Sequence, residues 1–354
     1  MPAVSVDTFF ACSLMVMLVL SAMAATTTVL RPHINNAAEG IPERYREISK
    51  YLLLNEGKPS NWGQNGQTAP ETFGLAKPFV KSAYELDIDK VSRLNSENVY
   101  AISYADAYAS LKMPDVSFKM EIKPLFEVSI SLVATFKLDN DTVYKFRIST
   151  ERNGSPVPTQ LRMLTVAEDY LDAISVSAAS GEKLQNITIS DSVTGPALLV
   201  VLARSSYNDK IASFNAFAFA HNSAEPDPKG TFLRLSPLDY GLNASFLTSG
   251  ISLTQAYALT FDYDSPLVQM ANTSESVTYE IPHFLDSAPT VLVVTGLDTL
   301  TFFSEWTAYP QMPIDMGADF ADSHTLSDVF SFTYLVTVDS AIYDCAIWLG
   351  GPKK

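Results

Sequence analysis

The chain has 354 residues, 47% of them hydrophobic and 11% aromatic. That is enough to bury a substantial core and too apolar for a disordered tail. Its 39 acidic and 24 basic side chains leave a net charge of −15, which excludes a nucleic-acid binder built on clustered Lys and Arg. The two cysteines, Cys12 and Cys345, lie at opposite ends of the chain; they predict no internal disulfide and no Cys-based structural metal site.

Residues 1–32 form the first segment. No charged residue occurs from Phe9 to Leu30, long enough for a helix that spans a bilayer. Ala22-Met23-Ala24 has the small-x-small form of a signal-peptide cleavage site, so a cleaved leader is the rival reading. The absence of Lys and Arg before the run favours a retained anchor. Arg31 and Arg44 follow the run and, by the positive-inside rule, would place that end in the cytoplasm. Five N-x-S/T sequons, at Asn140, Asn153, Asn186, Asn243 and Asn272, point instead to an extracellular, glycosylated body. The expected location is therefore the cell membrane, with a single N-terminal span and the body outside.

Residues 33–114 read as a small helical collar. Pro42 and Glu43 open a helix in which Tyr45, Ile48 and Leu52 share a face, and Gly57 and Pro59 end it. A polar loop carrying Asn61-Trp62-Gly63 follows, with Trp62 a candidate packing anchor. A short helix is predicted over Ile88–Leu94, and another from the Ser96 N-cap through Val99, Ile102, Ala105 and Tyr108.

From Val116 the period changes to two. Phe118/Met120/Ile122, Phe126/Val128/Ile130/Leu132 and Val143–Ile148 read as strands, with Leu138–Thr142 a hairpin turn. Further strands are predicted at 161–166, 173–177, 184–189, 197–203 and 213–220. The polar stretch His221–Gly230 reads as a linker, and strands resume at 256–263, 276–281, 290–294, 330–338 and 342–349. The predicted fold is α+β, mainly β: an N-terminal hydrophobic helix (transmembrane or filament core), the collar, then one or two antiparallel Ig-like β-sandwich units over 115–222 and 230–354.

Several strings also resemble a known group. The uncharged start AVSVDTFF, the short amphipathic RYREISKYLLL, then GKPSNWG, FGLA and LDIDKVSRLN, with the final SDVFSFTYLVTVDSAIYDCAIWL, are similar to archaeal type IV pilin-like (class III signal-type) membrane-anchored surface proteins. The resemblance implies that the N-terminal helix is a membrane anchor or a filament core. Met1-Pro2-Ala3 lacks the Lys or Arg that precedes a prepilin cut, and Asp7 stands where pilins usually carry Glu.

Few residues suggest chemistry. The four histidines, His33, His221, His283 and His324, have no ligand spacing. No nucleophile elbow, zinc-protease motif or phosphate loop occurs. Asp139–Asp141 and the series Asp315, Asp319, Asp322 and Asp328 are candidate calcium loops, against the simpler reading of solvated turns. Asp262 and Asp264 flank Tyr263 and read as charge guarding a strand edge. Phe302, Phe303, Trp306 and Tyr309, followed by Pro310 and Pro313, form an aromatic loop, a candidate interface or the plug of a sandwich end.

The expectation is a non-enzymatic surface structural protein. It would associate with membrane lipid or with its own copies through the N-terminal helix, as a homo-oligomer or beside partner membrane subunits. It would need no cofactor beyond a possible calcium ion. An accessory or ligand-binding subunit of a membrane complex, and a surface hydrolase, are the alternatives.

Overall fold

The computed structural model describes residues 15, 17–19, 40–80, 82–226, 233–246, 250–284, 288–320 and 329–351. The chain divides into two compact units, 1–50 and 51–354. Most of the hydrophobic N-terminal segment lies outside the described residues, although Met15 and residues 17–19 are helical. Among the described residues no helix is long and apolar enough to cross a membrane.

Residues 40–54 form helix α1. Glu43–Arg46 and Glu47–Lys50 pairs lie on its exposed side, and Gly57, at φ +73°, follows its end. Helices α2 (Ile88–Ser92) and α3 (Tyr104–Leu111) complete the collar. The helix predicted from Ser96 does not form there, because α3 starts at the Ser103 cap. Asn95 and Asn98 each accept a main-chain N–H two residues on, and these local turns compete with helix. The N–H of Val99 goes to Ser236 instead, at 2.9 Å.

The rest of the molecule is β. The strands are β1 (Glu85–Leu86), β2 (Ser117–Pro124), β3 (Glu127–Leu138), β4 (Asp141–Arg152), β5 (Ser155–Pro156), β6 (Thr159–Ala167) and β7 (Tyr170–Ala178). Next come β8 (Glu182–Ser190), β9 (Ala197–Ser205), β10 (Ala212–Phe219), β11 (Leu233–Leu238), β12 (Gly241–Phe246), β13 (Ile251–Leu259) and β14 (Asp264–Pro266). The last are β15 (Val268–Asn272), β16 (Ser276–Glu280), β17 (Thr290–Asp298), β18 (Thr301–Tyr309), β19 (Ile314–Gly317), β20 (Phe330–Val338) and β21 (Ala341–Gly350).

They make five sheets. β3, β4, β5 and β8 face the sheet β10-β9-β6-β7 across a core that includes Phe146, Ile148, Leu161, Ile187 and Leu199. β11-β12-β16-β15 face β14-β13-β17-β18 across Leu242, Ala258, Val277, Leu292 and Val294. The two sandwiches repeat one plan. The chain starts in the first sheet (β3–β5; β11–β12), crosses to the second for two strands (β6–β7; β13–β14), returns (β8; β15–β16), and finishes with two strands in the second (β9–β10; β17–β18).

The apolar runs at β9 and β17 now have a physical reason. In β9, Leu199 and Val201 point into the first core while Leu198, Val200 and Leu202 point the other way. The latter meet Val291 and Val293 of β17 and Leu259 of β13 in a third core. A strand buried on both faces reads as unbroken hydrophobic sequence, and here both faces are used because the sandwiches stack on each other. Asp262 lies just before β14, an edge strand of its sheet, and Asp264 begins it. They pair with Arg204 of β9 (2.7 Å) and Arg162 of β6, riveting the rim of that shared core.

Segments from before the first sandwich and after the second meet in the fifth sheet, β1-β20-β21-β2-β19, in which only β1 joins in parallel. β2, at the head of the 115–222 segment, and β19–β21, at the tail of 230–354, therefore lie outside both sandwiches. Tyr343, Cys345, Ile347 and Leu349 of β21 alternate inward. Burial pushes the free Cys345 thiol up to about 12, leaving it protonated and inert.

Candidate functional site

The densest polar constellation is built on α2, within LDIDKVSRLN. Its Asp, Lys and Ser, with the Arg and Asn that follow, face different neighbours. Asp87 caps the helix, accepting the N–H groups of Asp89 and Lys90 at 3.1 and 3.0 Å, as an N-cap carboxylate does. Lys90 is completely buried, and its Nζ donates to the Glu56 and Ala76 carbonyls at 2.8 Å each. Burial lowers its pKa to about 8. Arg93 donates to the carbonyls of Trp62, Asn65, Gly66, Thr68 and Tyr100, so its planar fork organises the whole polar loop. Trp62 is fully buried under that guanidinium, with its indole N–H on the Gly74 carbonyl at 3.0 Å. Gly63 is needed beside it, because a Cβ would stand 2.6 Å from the Lys90 nitrogen.

The other side of α2 grips the second sandwich. Asp89 is buried and accepts the Tyr309 hydroxyl at 2.7 Å and the Asp239 N–H at 2.8 Å, both on Oδ1. Burial raises its pKa to about 6 in spite of these bonds, and burial drives the Tyr309 hydroxyl far above its ordinary value. Ser92 accepts the Gln311 N–H at 3.1 Å, and Asn98 donates to the Pro237 carbonyl at 3.1 Å. Every one of these groups is spent on main chain or on a buried neighbour. The constellation is a clamp rather than a reactive centre.

The aromatic stretch is strand β18, not a loop. Phe303 and Tyr309 enter the second core, Phe302 is buried, and Trp306 packs partly buried in the core between the sandwiches. None of the four is presented as an adhesive patch. Of the calcium candidates, Asp315 pairs with Lys119 at 3.1 Å, and Asp322 and Asp328 lie outside the described residues. Among the described residues no group of three His, Cys, Asp or Glu side chains, Asp319 included, is placed to hold a metal. Asp139 and Asn140 form the two-residue turn between β3 and β4, with Asp139 at φ +54°. His221 is buried, bonded to the Tyr144 hydroxyl at 2.9 Å, and His283 stacks on Tyr240. His33 and His324 lie outside the described residues.

Four sequon asparagines, Asn140, Asn153, Asn186 and Asn272, are exposed. Asn243 is half-buried, its amide bonded to the Ser245 hydroxyl of its own sequon at 3.0 Å. Asn153 and Gly154 both have positive φ and make the turn from β4 to β5, so turn chemistry alone explains that pair. No such constraint explains Asn186, opposite Lys145 in β8, or Asn272 at the end of β15.

One further surface stands out. β3 bonds only β4, and its residues 131–138 are exposed. Leu132, Val133, Phe136 and Leu138 all lie in this stretch. A long apolar edge is a ready strand-pairing template. Compared with known proteins, the chain matches no family model and no curated sequence.

Proposed function

We propose that this chain is a pilin-like structural subunit of a cell surface, held in lipid or among its own copies by the Phe9–Leu30 helix, with the β body outside the membrane. The observation that carries the reading is the uncharged Phe9–Leu30 stretch, joined through α1 to a large body whose sequon asparagines are mostly exposed. Its role is mechanical rather than catalytic. We read the two stacked sandwiches, two sheets each with a mid-chain crossover, as immunoglobulin-like modules. Such modules commonly bear load or adhesion on surfaces, and the fold alone does not choose among their functions. The open β3 edge supplies a lateral contact by strand addition.

The test is mass spectrometry of the natural material together with cryo-EM of the native membrane. The expected result is a retained N-terminal stretch, hexose-bearing peptides at Asn186 and Asn272, and helices packed in lipid or at a filament axis. A mature chain that starts near Ala25 and runs as a free monomer would overturn the proposal. Different neighbouring chains around each copy would instead identify an accessory subunit of a complex.

A further inference from the structure

Residues 77–85 form a loop closed at its base. Ala76 bridges Leu86, the Lys77 N–H bonds the Glu85 carbonyl at 3.0 Å, and Lys77 Nζ lies 3.4 Å from Glu85 Oε1. At its tip Phe79 is 93% exposed, the most exposed large apolar side chain among the described residues, and Val80 beside it is 37% exposed. The tip is not a frayed end. The Phe79 N–H is held by Glu56 Oε1 at 3.1 Å, and its backbone sits at φ +62°, a conformation bulky side chains avoid unless the surroundings impose it. The fold thus holds an aromatic ring out into solvent. Leu54, the last residue of α1, lines the same groove of about 200 Å³ as Val80. In the sequence Lys77 and Lys81 bracket the tip, a basic pair on a chain of net charge −15.

We propose that the turn at 77–80 is a lipid contact, Phe79 and Val80 entering the headgroup boundary of an anionic bilayer while the exposed Lys77 exchanges its Glu85 partner for phosphate. An aromatic and an aliphatic tip flanked by amines is the chemistry of interfacial attachment, in which rings bury and ammonium groups stay with headgroups. Two side chains are too few for a stable protein interface, which buries about 800 Å² per partner. The inference rests on the membrane reading above, and it adds that the body touches the bilayer instead of standing clear on its stalk.

The experiment uses the full chain with Cys12→Ser, so that the remaining native thiol is the buried Cys345. Phe79→Cys, Val80→Cys, Tyr207→Cys and Leu300→Cys are labelled singly with an environment-sensitive fluorophore. Tyr207 and Leu300 serve as controls, at 83% and 90% exposure. Each variant is reconstituted into phosphatidylcholine–phosphatidylglycerol vesicles carrying a nitroxide lipid. Quenching at 79 and 80 should exceed that at 207 and 300 several-fold, and it should weaken in phosphatidylcholine alone. Equal quenching at all four sites, in protein that floats with the vesicles, overturns the lipid contact and leaves the anchor standing. Labels at 79 and 80 shielded from both nitroxide lipid and aqueous iodide would assign the turn to a protein neighbour and also overturn it. Failure of the chain to float overturns the anchor itself.

Discussion

Asp89→Asn isolates what the buried carboxylate does. Asp89 titrates at about 6 in the folded chain against 3.8 for a free side chain, chiefly through burial. Its folded pKa is raised, so the folded state binds the proton more tightly than the unfolded one. The stability this contributes is fully present below 3.8 and is lost as pH rises through 6. At pH 7.5 the folded protein carries the cost of a buried anion, about two pKa units, or about 3 kcal/mol. Asparagine presents the same Oδ1 to the Tyr309 hydroxyl and the Asp239 N–H, the two groups that bond it, and it cannot ionise. The variant should therefore be more stable than the parent at pH 7.5, by as much as about 3 kcal/mol, and indistinguishable from it near pH 4. Urea unfolding of the whole chain in detergent, followed by tryptophan fluorescence across pH 4–8, measures both curves. A variant destabilised at pH 7.5, or one that keeps the parent's fall in stability between pH 4 and 6, would show that the charged form is the one the fold selects.

Two other substitutions test the architecture. Arg93→Lys keeps the charge but replaces a planar fork spread over five carbonyls with a group of three donors. It should cost about 2–4 kcal/mol through buried carbonyls left unpaired, and protease sensitivity should appear within residues 58–70. Leu198→Ala removes a fully buried side chain from the core between the sandwiches and should cost about 2–5 kcal/mol. Because that core belongs to both, unfolding should remain a single transition, and separate melting of the two sandwiches would refute a shared core.

Much of the strand content was legible because one-faced burial leaves a local signature. β2, β4 and β21 alternate along their length, and Phe118, Met120 and Ile122 mark the buried face of β2. The aromatic stretch misled for a related reason. β18 is buried on both faces, and prolines at 310 and 313 made its end look like a loop. Long-range pairing left no local trace. Asp89 and Tyr309 are 220 residues apart, so the acid reads as an ordinary helix-cap charge until its partner is known. The ion pairs of Asp262 and Asp264 were hidden likewise, since nothing nearby in the chain announces Arg162 or Arg204. The α2 string was recognisable as a pattern, but its reason is geometric. Lys90, Ser92 and Arg93 each bond distant main-chain groups, and Asp89 bonds a distant hydroxyl and a distant N–H.

That geometry bears on what the molecule is for. α1 hands the chain to the body at Leu52, whose carbonyl accepts the Leu75 N–H at 3.0 Å. From there Leu75 accepts the Asp87 N–H at 2.9 Å, and α2 holds the polar loop through Lys90 and Arg93 and the second sandwich through Asp89 and Ser92. β2 meanwhile pairs along eight residues with β21, near the end of the chain. The start of the body is thus fixed by a buried clamp, and the β2–β21 ladder ties an early strand to a late one. Such a junction would serve the proposed structural subunit, because many main-chain hydrogen bonds of the body must break together before its ends come apart.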